Sequence, residues 1–180
     1  MMRTKCIFVT RKSFWAIGAK ILNMVDGCSH TGILHPVKGD WFVSDMTGDG
    51  FKITRYEDWV KKYRVEAILT INIENDFVSY PDTLKLIDDI ALDFGPDIFK
   101  TKYAHGQLFW DGLEIIAQWF GAKEFAVKVN GKRRQVCSEW VARYYDNYGL
   151  WKGDKHFDVI TLKDAYRGLC KVAAHREGEL

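Results

Sequence analysis

Two short segments of the chain carry side chains that are suited to nucleophilic chemistry. Cys137 begins the segment Cys-Ser-Glu-Trp-Val-Ala, and His30 lies much earlier, in the segment Ser-His-Thr-Gly-Ile. A thiol attacks a carbonyl efficiently when a neighbouring imidazole takes its proton, because the thiolate is the reactive species. A fold that brings Cys137 and His30 together would therefore supply both groups that thiol hydrolysis or acyl transfer requires.

Cys137 occupies a position where a helix is predicted to begin. The residues that recur at helical spacing after it are Trp140, Val141, Tyr144 and Tyr148. Unpaired N–H groups and the helix dipole at this end favour a negative charge, so the position favours the thiolate and could bind an oxyanion. Ser138, in the same turn, is a weaker candidate for a substrate or oxyanion contact. The alternative interpretation of Cys137 is a buried structural cysteine.

His30 is predicted to lie in a hairpin that also carries Asp45. A two-residue turn at Lys38-Gly39 would join strands at residues 29–35 and 40–46. In that register, the alternation of side chains makes His30 and Asp45 diagonal neighbours on one face of the sheet. Asp45 could then fix the tautomer of the imidazole while the other ring nitrogen faces a thiol. A slip of one residue would turn Asp45 to the opposite face and leave both as ordinary strand residues.

The remaining hydrophobic patterns predict an α+β chain. Strands are predicted at residues 5–10, 51–54 and 65–73, and helices at 14–25, 56–63, 81–94, 107–120 and 163–174. Residues 124–136 predict a second hairpin around Asn130-Gly131, a pair that suits a type I′ turn. Residues 95–106 carry weak signals and predict a loop.

Composition and charge restrict the class of protein. Of the 180 residues, 47% are hydrophobic and 14% aromatic, which is enough for the core of a single domain over residues 1–180. A net charge of +2 is too small to imply a nucleic-acid partner. No apolar run approaches the roughly 20 residues of a membrane helix, and the first residues predict a strand rather than a signal peptide. We expect a chain that is made and folded in a cytoplasm and has no membrane span.

The four cysteines are widely spaced and form no zinc-binding motif. Cys6 and Cys170 are expected to be small buried hydrophobic residues. Cys28 lies two residues before His30 and is a minor competitor for the role of nucleophile. No cofactor is expected. A zinc site made of Cys137 with the histidine and aspartate of the hairpin is an alternative that the ligand types allow.

Taken in order, these motifs resemble the permuted NlpC/P60 papain-like hydrolases and the related acyltransferases of the lecithin–retinol type. The matching segments are residues 29–33, 42–46, 49–51, 137–142 and 157–165. In that group a Ser-His-x-Gly strand precedes a strand with an acidic or polar residue, and a Cys-Ser-Glu-Phe/Trp helix follows much later. The resemblance implies a circularly permuted papain-like fold, in which an antiparallel sheet packs against helices.

The resemblance also implies a role for each candidate residue. Cys137 would be the nucleophile, His30 the general base and then the general acid, and Asp45 the residue that orients the imidazole. Asp45 stands where the group usually has the longer glutamate. Tyr103 is a candidate contact to the oxyanion or the substrate. Residues 75–106 have no clear counterpart in the group and are interpreted as an insertion that could shape the cleft.

We therefore expect a thiol hydrolase that cleaves an amide or ester bond through a Cys-His-Asp triad. The resemblance suggests a cell-wall peptide as substrate and a bacterial or bacteriophage origin, with association to a virion as one route to a cell wall. An acyltransferase or thioesterase acting on lipid acyl groups is the alternative among enzymes. A non-catalytic binding or virion structural protein that keeps the fold is the alternative from another class.

Overall fold

A computed structural model of the chain describes residues 2–11, 28–74, 79–103, 134–135, 137–154 and 160–178. The strands among them are β1 (Met2–Arg11), β2 (His30–Val37), β3 (Asp40–Thr47), β4 (Gly50–Arg55), β5 (Tyr63–Ile73), β6 (Lys102–Tyr103), β7 (Arg134–Gln135) and β8 (His175–Gly178). The α-helices are α1 (Tyr56–Trp59), α2 (Thr83–Phe94), α3 (Cys137–Asn147) and α4 (Leu162–Cys170), and short 3-10 helices occupy Val60–Lys62 and Pro96–Lys100. The chain is therefore of the α+β class, as predicted.

Six of the strands form one antiparallel sheet in the order β4-β3-β2-β1-β5-β8. Strands β6 and β7 pair separately and run parallel to each other. β1 lies between β2 and β5, and its ladder with β5 shifts by one residue between Phe8 and Val9. This β-bulge lies at the level of the site, because Val9 pairs with His30 on its other side. A bulge changes the direction of nearby side chains and is frequent beside functional residues.

The hairpin of β2 and β3 has the register predicted from its sequence. Ile33 pairs with Ser44, and the two-residue turn is Lys38-Gly39. Both turn residues have positive φ, 46° and 87°, which is the conformation of a type I′ turn. The strand alternation therefore places Asp45 on the same face of the sheet as His30, and Ser44 on the opposite face.

Helix α3 packs across β2 and β3 on one face of the sheet. Its buried side chains there include Trp140, Val141 and Tyr144, which the helical spacing predicted. Tyr145 is also fully buried, whereas Tyr148 is half-buried and donates a hydrogen bond to Asp93 at 2.9 Å. The apolar face of the helix is thus rotated slightly from the predicted one.

A second buried cluster lies on the face of the sheet to which Asp45 belongs. Its members are Ile7, Val9, Leu34, Val43 and Trp59. Trp59 ends the short helix α1, which follows β4 directly, so the chain returns across this face immediately after β4. The site residues therefore lie beside an aromatic cluster as well as beside helix α3.

Residues 79–103, which fall in the segment interpreted as an insertion, pack on the same core as α3. The amide of Tyr80 donates to the carbonyl of Pro36 at 2.8 Å, and Leu86 and Ile90 of helix α2 are buried. The predicted loop over 95–106 is wrong in its first part, because Pro96–Lys100 is helical and Lys102–Tyr103 is a strand. No helix within the described ranges is long and apolar enough to cross a membrane.

The C-terminal prediction was wrong in its last part. Helix α4 ends at Cys170 rather than 174, and His175–Gly178 adds strand β8 beside β5. The start of helix α4 is set by Thr161 and Asp164, which form a reciprocal capping box. The predicted helices over 14–25 and 107–120, and most of the hairpin over 124–136, lie outside the described residues.

Candidate functional site

The first residue of β2, His30, contacts Asp45 as the hairpin register predicted. The Nε2 atom of His30 lies 2.8 Å from the Oδ2 atom of Asp45. Asp45 has no exposed surface, and His30 retains 8% of its surface. A buried carboxylate so close to the ring fixes the orientation of the imidazole and stabilises its protonated form.

Gly32 provides the space that brings β3 close to β2 at this point. A Cβ atom at Gly32 would lie 2.7 Å from the Cγ1 atom of Val43 and 3.2 Å from the Cβ atom of Asp45. Both distances are shorter than ordinary carbon contacts, which lie near 3.5–4.0 Å. The glycine of the Ser-His-x-Gly motif is therefore required by packing beside the carboxylate, not by an unusual backbone angle.

Replacing Gly32 with alanine should displace Asp45 from His30 and lower stability by about 1–3 kcal/mol, as overpacking of a tight core does. Urea unfolding measures the stability, and the imidazole NMR signals of His30 report the contact. Gly39→Ala is the matched control, because it strains the turn at φ 87° but meets no atom within 4 Å. If Gly32→Ala leaves the His30 signals unchanged, the close approach is not what holds Asp45.

Two aromatic residues that the sequence did not single out complete the surroundings of the pair. The indole N–H of Trp59 donates to the Oδ2 atom of Asp45 at 2.7 Å. The ring of Tyr63 stacks on the ring of His30 with centroids 5.4 Å apart and an angle of 14° between the planes. The carboxylate is thus held by two donors, and the imidazole is held between a carboxylate and an aromatic face. The only sequence signal was two aromatic residues four positions apart after the hairpin.

Cys137 is the first residue of helix α3, as predicted, and it is 4% exposed. Its side chain interacts with His30 both by charge and by hydrogen bonding. Since Nε2 of the imidazole is bonded to Asp45, Nδ1 is the ring nitrogen left for the sulfur. The start of the helix supplies partial positive charge to the same sulfur. The structure therefore brings together the three residues that the sequence proposed.

The net effect of these surroundings is to raise the pKa of His30 from 6.5 to about 10. Burial is the largest single influence and lowers the pKa. It is outweighed by the negative charge at Cys137, followed by the hydrogen bonds from Asp45 and Cys137 and the charge of Asp45. The arrangement thus favours the protonated imidazolium form of His30.

We expect an NMR titration of His30 to give a pKa of about 10, and a much lower value in Cys137→Ala, which lacks the largest favourable charge. The pKa of His30 is higher in the folded protein than its value of about 6.5 in the unfolded chain. Protonation of His30 therefore contributes fully to the free energy of unfolding below pH 6.5, and this contribution is lost as the pH rises through about 10. The free energy of unfolding, measured with urea, should fall more steeply for the wild type than for the variant as the pH rises from about 8.5, the pKa of an unfolded thiol, to about 10. Identical titrations would show that no ion pair forms.

Cys28 does not have the surroundings of a nucleophile. Its thiol is 2% exposed and donates to the carbonyl oxygens of His30 at 3.1 Å and Val9 at 3.4 Å. Burial raises the pKa of Cys28 to about 12, so the group stays a thiol. Cys6 is fully buried, as expected, but Cys170 is half-buried.

The weaker candidates have structural contacts. The hydroxyl of Ser138 is buried and donates to the carbonyl of Ile160 at 3.0 Å, so only the backbone N–H of this residue remains for an oxyanion. Tyr103 pairs through its backbone with Gln135, which places strand β6 beside the segment that leads into Cys137.

The described ranges, which include all three candidate ligands of the zinc alternative, contain no group of three or more His, Cys, Asp or Glu side chains placed to hold a metal ion. No protein-family model matches the chain, and no curated protein matches it.

Proposed function

We propose that the protein is a thiol hydrolase of the permuted papain-like type, with Cys137 as nucleophile, His30 as base and acid, and Asp45 as the orienting residue. The observation that carries the proposal is the placement of one imidazole between a buried carboxylate at 2.8 Å and a cysteine at a helix N-terminus. The order of these residues along the chain, histidine before cysteine, is that of the permuted group.

In the first half of the reaction, the thiolate of Cys137 attacks the carbonyl carbon of an amide or ester and forms a carbon–sulfur bond. The oxyanion that develops lies near the N–H groups at the start of α3, which stabilise it. The imidazolium of His30 gives its proton to the leaving nitrogen or oxygen as the bond to carbon breaks. The products are a thioester on Cys137, a neutral His30 and a free amine or alcohol.

In the second half, a water molecule attacks the thioester carbonyl while His30 accepts one of its protons. The carbon–sulfur bond breaks, and the thiolate of Cys137 and the imidazolium of His30 are restored. The released acid loses its proton to solvent. Asp45 keeps Nε2 occupied throughout, so that Nδ1 faces the reacting atoms in both steps.

The proposed substrates are peptide amides of bacterial cell walls, with acyl esters of lipids as the alternative that the related acyltransferases suggest. The two chemistries share the acyl-enzyme and differ in what resolves it. A hydrolase releases the acyl group to water, whereas a transferase passes it to an amine or alcohol in preference.

Acyl-enzyme trapping tests the proposal. The protein is mixed with a p-nitrophenyl acyl ester or a cell-wall peptide amide and quenched in acid, and its mass is measured. We expect a mass increase equal to the acyl group, located in the peptide that contains Cys137 and absent from Cys137→Ala. Cys28→Ala is the control and should still acylate. Acylation of another residue, or of none with any substrate of either class, would contradict the proposal and favour the non-catalytic alternative.

A further inference from the structure

A second hydrogen-bonded network lies on the face of β3 opposite Asp45. The Oγ atom of Ser44 lies 2.8 Å from the Nε2 atom of His35. The indole N–H of Trp140 in helix α3 is shared between the Oγ atom and the backbone carbonyl of Ser44, at 3.3 Å from each. The network therefore joins β2, β3 and the helix that carries Cys137.

All three side chains are completely buried. Burial lowers the pKa of His35 to about 3, so the ring is neutral and the network carries no charge. The rings of Tyr80 and Tyr144 meet the ring of His35 edge-on, with centroids 6.2 and 5.3 Å away. A buried indole N–H requires an acceptor, and Ser44 supplies it to Trp140.

The network is connected to the candidate site in two ways. Ser44 is the residue immediately before Asp45 in β3, so consecutive residues hold partners on opposite faces of the strand. Trp140 lies three residues after Cys137, which is one turn of helix α3. The dipeptide Ser44-Asp45 thus contacts the base on one face and the helix of the nucleophile on the other.

We propose that Ser44 and His35 are positioning residues, which set the place of helix α3 on the sheet through Trp140 and thereby hold Cys137 against His30. The inference rests on the proposed function and goes beyond it, because it assigns a role to residues that touch no reacting atom. Geometry of this kind matters, since a misplacement of about 1 Å between reacting groups can cost about 100-fold in rate.

The competing interpretation is that the network contributes only stability. Helix α3 offers a matched comparison, because the hydroxyl of Tyr145 makes another buried hydrogen bond to the sheet, 3.1 Å from the Oγ1 atom of Thr4. That bond lies two turns further along the helix from Cys137. Its loss should cost stability without moving the first turn.

The test compares Ser44→Ala with Thr4→Val, which removes the distant hydrogen bond. Iodoacetamide is the probe, and the alkylation rate of Cys137 is followed by peptide mass spectrometry across pH, at a temperature where each variant is folded. We expect Ser44→Ala to lower the rate at neutral pH about tenfold or more and to move its pH dependence towards that of an ordinary thiol. Thr4→Val should lower the melting temperature and leave the rate and its pH dependence unchanged.

The outcomes separate this inference from the proposed function. If wild-type Cys137 reacts no faster at neutral pH than an ordinary thiol, the proposed function fails. If the wild type reacts fast and Ser44→Ala matches it, or if Thr4→Val slows equally, only the positioning role is overturned. Trp140→Phe, which removes the N–H donor and keeps an aromatic ring, is the second variant. If neither variant folds, the network is required for folding itself and the positioning proposal is abandoned.

Discussion

Replacing Cys137 with alanine should lower turnover of any accepted amide or ester by at least about 1,000-fold. The variant loses the only atom that forms a bond to the substrate. It also loses the negative charge that contributes most to raising the pKa of His30, so the general acid is weakened at the same time. The side chain is small and buried at the start of α3, so alanine should leave the fold intact. Steady-state kinetics on a substrate turned over by the wild type measures the effect.

Cys28→Ala is the matched control for that experiment. Cys28 is a buried cysteine that contacts the backbone of His30, and its thiol is held by two carbonyl acceptors. Its replacement should reduce stability modestly and leave most of the turnover. A Cys137→Ala variant with wild-type turnover would rule out covalent catalysis by this residue.

Asp45 should show a graded response, in which alanine is much more damaging than asparagine. Asp45→Ala removes the acceptor of both His30 and the Trp59 indole, 2.8 and 2.7 Å away, and leaves two buried donors unpaired. We expect a loss of about 100- to 10,000-fold in kcat, with a loss of stability of about 2–5 kcal/mol. Asp45→Asn keeps an acceptor oxygen for both donors. It removes the charge and puts an NH2 group at the place of the buried Oδ1 atom, so we expect a loss that is smaller than for alanine but still measurable.

Kinetics and urea unfolding of both variants measure the two effects separately. Asp49→Asn is a suitable control, because this carboxylate is exposed and its partner is Lys52 of the following strand β4. It should behave as the wild type in both measurements. Equal losses for alanine and asparagine at position 45 would mean that charge, rather than orientation, is the contribution of Asp45. Wild-type turnover in Asp45→Ala would exclude any role.

The hairpin and the start of α3 could be predicted because their signals are local. A two-residue Lys38-Gly39 turn determines every pair of the β2–β3 ladder, and alternation then determines which side chains share a face. The start of the helix follows from the spacing of its apolar residues. The contact of His30 with Asp45 followed from the turn, which sets the register, and from the alternation of side chains along the strands.

The contacts between elements distant in sequence could not be predicted in the same way. The sequence predicted Trp59 only as an apolar residue of a short helix, and nothing local indicates that its N–H reaches Asp45. Ser44 and Trp140 are far apart in the chain, and their contact depends on how α3 packs on the sheet. The strand β8 was missed because its residues are polar and it lies at the edge of the sheet, where pairing is settled by β5 rather than by hydrophobic pattern.

His35 shows why residue type alone is a weak guide to chemistry. It lies on the same strand as His30, yet the two rings have opposite protonation: burial without a charged partner lowers the pKa of His35 to about 3, whereas Cys137 and Asp45 raise that of His30 to about 10. The difference comes from partners on other elements. The sequence favoured His30 over His35 because Asp45 lies within reach across the hairpin and because the Ser-His-x-Gly segment resembles that of the permuted group.

The pH dependence of Cys137 alkylation by iodoacetamide tests the central claim most directly, because it needs no knowledge of the substrate. If His30 and Cys137 form a thiolate–imidazolium pair, the wild type should react rapidly and almost uniformly from about pH 6 to pH 9, and His30→Ala should lose the fast reaction at the acidic end. If the wild type instead reacts more than about 100-fold faster at pH 9 than at pH 6, as an ordinary thiol does, the pair does not form and Cys137 is not an activated nucleophile.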